Sequence, residues 1–140
     1  MEGRLVDNGD GTVTDTCTSL MWQKETADVD GNGTIGSEDA PNWQNALQYG
    51  ENLTLAGHTD WRLPKVRELE SIVDYGRNRP AIDPVFGTVI SATDPVYYWS
   101  SSTAVRNWGV AAWMVDFSDG IRIFDDKTRP YYVRAVRDAR

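Results

Sequence analysis

Residues 96–137 read VYYWSSSTAVRNWGVAAWMVDFSDGIRIFDDKTRPYYVRAVR, and the fold turns on how this stretch divides. Four runs, VYYWSSST, AAWMVDF, GIRIFDD and YYVRAVR, are rich in β-branched and aromatic residues and are separated by turn-forming ones. They predict a small antiparallel sheet. Side chains alternate across a strand, so Trp113, Val115 and Phe117 share one face while Met114 and Asp116 take the other. In IRIFD the expected inward set is Ile121 and Ile123, with Arg122 and Phe124 outward.

Upstream the periodicity changes. KVRELESIVDYG places Val66, Leu69, Ile72 and Val73 at helical spacing, with Gly76 as a natural stop. PNWQNALQYGENLTLAG does the same with Trp43, Ala46, Leu47 and Leu53, with Pro41 in the first turn and an end near Gly50 or Asn52. The N-terminal RLVDNGDGTVTDTCTSLMWQ reads as two short strands around a Gly-Asp-Gly turn, followed by apolar Leu20, Met21 and Trp22. Pro80, Pro84, Gly87 and Pro95 argue against regular structure from 78 to 95, apart from a short piece at 86–90. The order of elements is that of an α+β protein, and 140 residues make one domain, 1–140.

An apolar fraction of 40%, a charged fraction of 25% and six tryptophans describe an ordered globular chain. Its net charge of −7 speaks against nucleic acid, whose binding depends on clustered Lys and Arg. Arg129, Arg134, Arg137 and Arg140 are interleaved with Asp125, Asp126 and Asp138, which predicts a mixed surface. Cys17 is the lone cysteine, expected as a small buried hydrophobe, and it excludes an intrachain disulfide and chemistry that needs paired thiols. No run of apolar residues is long enough to span a membrane. MEGRLVDNGDG lacks the apolar core of a signal peptide, which leaves either a cytoplasmic chain or one that begins after a removed leader.

Residues 28–39, DVDGNGTIGSED, follow the twelve-position grammar of an EF-hand calcium loop. Asp28, Asp30 and Asn32 supply oxygens at positions one, three and five, Gly33 allows the sharp turn at six, Thr34 offers a carbonyl at seven and Asp39 closes at twelve. Asp39 stands where the usual ligand is Glu, a feature that resembles the calcium loops of dockerin modules. Together with Glu38, these carboxylates would repel one another without a cation. Ca2+ is the expected ion, with Mg2+ a competitor that demands stricter octahedral geometry. One helix beside the loop predicts a structural clip and not a sensor.

His58, Asp60 and Arg62 in HTDWRLP are expected to hold a loop together by side-chain to backbone hydrogen bonds, and Ser100 to Thr103 lack a hydrolase context. No catalytic constellation emerges, which predicts a protein that is not an enzyme. The expected recognition surface lies in the last third. Arg106, Asn107 and Trp108 form a loop between strands, bordered by Ser118, Asp119, Arg122, Phe124, Asp126 and Tyr131. Both a surface and a core position are open to Trp108; Trp22, Trp43, Trp61, Trp99 and Trp113 are assigned to the core.

Taken in order, VDNGDGTVTDT, LMWQK, the Trp-Gln-Asn-Ala-Leu helix, AGHTDWRLPKVRELESIVDY, YYWSSS, AWMVDFSDG and YYVRAVR closely resemble the DUF1566 family, the C-terminal domain of Legionella collagen-like protein, from Arg4 to Arg137. The resemblance implies a C-type-lectin-like fold, in which two helices flank a small twisted antiparallel sheet with long loops. It also implies an extracellular or surface-displayed binding module. Some members are adhesin domains that bind glycans; others look like variable proteins of diversity-generating retroelements, with varied C-terminal binding positions. Many members carry Cys where this chain has Tyr49 or Ala135, and the acidic loop looks like an insertion. The leading expectation is a noncatalytic, retroelement-diversified module with a protein ligand and a structural Ca2+. The alternative is a glycan-binding adhesin, with sulfated glycans disfavoured by the acidic charge.

Overall fold

The computed structural model describes residues 3–33, 36, 39–87, 95–105 and 109–139. Its described elements, in chain order, are β1 (Leu5–Asp7), β2 (Thr12–Asp15), β3 (Leu20–Gln23), α1 (Trp43–Asn52), α2 (Val66–Ser71), β4 (Tyr97–Ala104), β5 (Ala111–Asp116), β6 (Ile121–Asp126) and β7 (Val136–Asp138). This is an α+β fold, as the sequence predicts, but its strands form two antiparallel sheets: β1-β2-β3-β7 and β4-β5-β6. The expected N-terminal hairpin is present, with Asp7 opposite Val13 and Leu5 opposite Asp15. The Asn8 side chain ties its turn by donating to the Thr12 and Thr14 hydroxyls at 2.9 and 2.8 Å.

The last predicted strand is the main departure. YYVRAVR does not join the sheet of β6; only its end is a strand, and β7 pairs with β3, setting Met21 against Arg137. The residues before β7 tie the two sheets together. The Trp99 N–H donates to the Tyr132 carbonyl at 2.9 Å, and the Gln23 N–H to the Ala135 carbonyl at 2.9 Å. Arg62 and Val136 exchange two backbone bonds of 2.9 Å. Periodicity reports which residues suit a strand and carries no information about which sheet receives it.

Sheet β4-β5-β6 is covered on both faces. Tyr98, Val115 and Phe117 enter a core with Val13, Trp22 and Leu69, whereas Trp99, Ala112 and Met114 enter a second core with Ala46, Leu63 and Val133. Both helices pack on β4, and α2 also on β5. Edge strand β6 lies largely in solvent, and the expected inward pair is overturned: Ile121 is 60% and Ile123 40% exposed. Phe124, expected outward, opposes Trp113 and is half-buried.

α1 begins at Trp43, capped by the Asn42 side chain accepting from the Asn45 N–H at 2.9 Å. Pro41 therefore precedes the cap instead of occupying the first turn. α2 stops at Ser71, well short of Gly76, because the chain turns to strand-like pairing: Val73 bridges Ile82, and the Asp74 N–H donates to the Ala81 carbonyl at 2.8 Å. No element is assigned at Phe86 or Gly87, and residues 88–90 of the short piece expected there lie outside the described residues. Trp22, Trp61 and Trp99 are buried as expected, but Trp43 and Trp113 are only half-buried. Cys17 is exposed, not buried. Two of the C-terminal arginines, Arg134 and Arg137, are interior residues and do not form part of a mixed surface.

Gly50 marks the closest approach of α1 to the strand-like segment after His58. A Cβ there would sit 2.9 Å from both Arg62 C and Leu63 N, backbone atoms that cannot rotate aside. Gly50→Ala is therefore expected to lower stability by about 1–3 kcal/mol, although alanine gains up to about 1 kcal/mol in helix propensity. Urea denaturation of the two chains measures the difference; an unchanged or raised midpoint would show that the helix can lift off without cost.

Candidate metal centre and recognition face

The acidic loop leaves the core just after Ala27, whose N–H donates to the Val133 carbonyl at 2.9 Å. Gly31 (φ 71) and Gly33 (φ 85) adopt the left-handed backbone that residues with a Cβ avoid. The loop curls there, and carboxylates spaced along it converge. One oxygen from each of Asp28, Asp30 and Asp39 lies within 4.8 Å of the other two. Asp39 is fully buried, accepting from the Gly36 N–H at 3.0 Å and the Asp30 N–H at 3.3 Å. Asp28 Oδ2 accepts from the Gly33 N–H at 2.7 Å, whereas its Oδ1 is buried with no hydrogen-bond partner among the described residues. A buried carboxylate oxygen without a donor is costly. A hard divalent cation is the partner that its chemistry fits.

Desolvation, with the Asp28 and Asp39 carboxylates beside it, raises the Asp30 pKa against the pull of the Asn32 N–H, which donates to Asp30 Oδ1 at 3.2 Å. Burial works against the charged form of Asp39, but the N–H groups of Gly36, Asp30 and Val29 outweigh it and hold its pKa low. Of the five expected ligands, then, the structure brings three carboxylates together and places the Asn32 backbone against one of them. Thr34 lies outside the described residues, as does Glu38.

The expected recognition residues divide between the two faces of β6. On one face Arg122 stands with its guanidinium carbon 5.0 Å from the Trp113 ring centroid, and Phe124 meets the same ring edge-on at 5.2 Å. Glu70 of α2 approaches Arg122 at 3.7 Å. Asp126 shares this face by strand alternation, with one carboxylate oxygen held by the Thr128 N–H and hydroxyl at 2.8 Å; these bonds lower its pKa. On the opposite face Tyr131 packs edge-on against Tyr97 and Trp99 at 5.2 and 5.1 Å. Its hydroxyl donates to Asp125, and burial together with that bond pushes the phenol far above its usual range.

Ser118 does not belong to the surface. It is buried, and its N–H and hydroxyl both donate to Asp116 Oδ1 at 2.9 and 2.7 Å, closing the β5–β6 turn. Asp119, in the same turn, is exposed and accepts from the Ile121 N–H at 3.1 Å. Arg106, Asn107 and Trp108 lie outside the described residues. Half-buried Trp113 and the exposed pair Ile121 and Ile123 are surface features that the sequence does not signal, because it sets YYVRAVR beside β6 and so hides the edge. Asp60 and Arg62 hold their loop chiefly through ion pairs and not through the expected side-chain to backbone bonds: Asp60 accepts from Arg137 at 2.6 and 3.1 Å, and Arg62 donates to Glu68 at 2.7 and 2.8 Å.

The described residues form a small α+β scaffold with an acidic loop and a largely exposed edge strand. The chain belongs to the Lcl C-terminal domain family, whose pattern matches residues 11–137. That membership suggests a ligand-binding or adhesin-like module. None of the curated proteins compared matches the chain. No described helix is long and apolar enough to cross a membrane.

Proposed function

We propose that this domain is a noncatalytic binding module of a secreted or surface protein, built on a C-type-lectin-like scaffold, with β6 and its flanks as the site for a protein ligand. The observation that supports it is β6 itself. Four of its six residues are exposed and none is buried, yet half of it is apolar: Phe124 stands with Arg122 against Trp113 on one face, and Ile121 and Ile123 lie on the other. Apolar and aromatic side chains beside an arginine are the composition of an interface hot spot, and they are an expensive choice for a strand that meets only water. In its sharper form this reading has the surface varied by a diversity-generating retroelement. The gene should then lie near a template copy of its 3′ end that differs at adenines; a locus with neither template nor reverse transcriptase overturns that form.

The acidic loop, on this reading, holds one structural Ca2+ through Asp28, Asp30, Asn32, the Thr34 carbonyl and Asp39. The support is the orphaned Asp28 oxygen inside a twelve-position calcium grammar. The ion would fix the approach to α1, where the Pro41 carbonyl accepts from the Trp99 indole at 2.9 Å and the Tyr131 N–H at 3.1 Å. Such a clip stabilises the fold without taking part in any reaction.

Two measurements test these assignments. A photoreactive residue placed at Ile123 should cross-link a saturable protein partner from the native surroundings, while the same residue at Val6 should not; equal labelling at both, or capture of glycan alone, sinks the protein-ligand reading. Calcium at about one hundred times its Kd should add about 2.7 kcal/mol of stability, removable by chelator. Asp28→Asn should lose that gain while leaving the calcium-free chain as stable as before or slightly more so. Identical melting of the wild-type chain in calcium and in chelator would remove the ion from the account.

A further inference from the structure

Among the described residues, three of the four outer strands have an edge that is closed or short. Beyond β4, the Trp99 N–H donates to the Tyr132 carbonyl at 2.9 Å and the Ser101 N–H to the Pro64 carbonyl at 2.7 Å. β7 exchanges two bonds of 2.9 Å with Arg62, and β1 has only three residues. β6 is different: it runs for six residues, lies last in its sheet and keeps an unbroken register with β5. Neither proline nor lysine interrupts it and no bulge twists it away, so it lacks the devices that keep an edge from pairing. The Lys127 N–H donates to the Val110 carbonyl at 2.8 Å, which fixes the alternation. Residues 123 and 125 turn their main-chain groups to β5, and residues 122 and 124 turn theirs outward.

Resting on the reading of β6 as a protein-binding site, we infer that its partner is a second copy of this chain, whose own β6 pairs with it antiparallel about a two-fold axis. Opposed residues share a face of the joined sheet, so even numbers meet even and odd meet odd. Setting Arg122 against Arg122 would oppose two cations. Setting Arg122 against Asp126 fails on the main chain, because the Asp126 N–H is taken by the Asp125 carboxylate at 2.7 Å and its carbonyl by the Arg129 N–H at 3.0 Å. The register that remains sets Arg122 against Phe124 of the second copy and Ile123 against Ile123 across the axis. Arg122, with the Trp113 ring already 5.0 Å away, gains a second aromatic face, and Asp126 of the second copy lies on its diagonal. On the opposite face Ile123, 40% exposed, is covered by its own counterpart. The contact is smaller than the roughly 20–30 residues a side of a stable complex, so the dimer forms at high concentration and dissociates on dilution.

Sedimentation velocity of the chain from about 10 μM to about 1 mM tests the pairing. The sedimentation coefficient should climb towards that of a dimer. Ile123→Lys, which opposes two cations at the axis, should stay monomeric throughout with an unchanged circular dichroism spectrum. Cys17→Ser provides the background in which the register is read. There Ile123→Cys should oxidise to a covalent dimer at least about tenfold faster than Ile121→Cys, because a disulfide needs close Cα atoms. The two 123 Cα atoms stand about 4.5 Å apart across the axis, whereas the 121 pair is separated by more than about 13 Å. Equal rates for the two cysteines overturn the register, and a single monomeric species at every concentration overturns the pairing. If that monomer still captures another protein through a photoreactive residue at Ile123, the protein-binding reading of β6 stands without this inference; if it captures nothing, both fall.

Discussion

The guanidinium of Arg134 is the constraint on which the rest of the structure depends. It lies almost fully out of solvent, and burial lowers its pKa, so the fold must supply what water would have given. Nη1 donates to the Gln23 carbonyl at 2.9 Å and to that of Lys24 at 2.5 Å, and Nη2 to the Gly87 carbonyl at 2.6 Å. Phe86 and Tyr98 bring ring centroids to 5.0 and 5.5 Å of the same cation. One side chain thereby joins the end of β3, the connection after α2 and the first strand of the second sheet. Charge-assisted bonds to main-chain oxygens have little tolerance in distance, so they set the spacing of those three segments.

What the sequence makes legible is what neighbours in the chain decide. The N-terminal hairpin follows from β-branched residues on either side of a tight turn, and α1 from its apolar spacing and a capping asparagine. α2 ends before Gly76 because Val73, which continues the helical period with Ile72, pairs instead with Ile82 nine positions on, across a turn that the apolar spacing does not announce. The sheet that receives β7 is not legible for a different reason: its partner β3 is separated from it by more than a hundred residues. The arginines near the end looked like surface because charge usually is, and nothing local announces that three carbonyls await one of them.

The two candidate sites differ in the same way. Metal-loop chemistry is local, so spacing alone brought Asp28, Asp30 and Asp39 to notice, and folding adds the buried oxygen that gives the cluster its chemical demand. A recognition face is assembled across strands. Composition singles out a segment but mixes the two sides of β6 and counts Ser118, whose hydroxyl is spent on Asp116 inside the turn.

The ties made by residues 131–136 bear on how the chain reaches its folded form. Val136 and Trp22 are opposed in register, and the Arg134 bond to Gln23 spans 111 positions. Contacts so far apart are closed late, since the entropy of a long loop must be overcome before the contact returns anything. During synthesis the first hairpin emerges early with Val13 and Trp22 lacking the strand that will complete their cover. Closing this module therefore waits for residues 131–136, and a chain cut before Arg134 would leave the cover of Val13 and Trp22 incomplete.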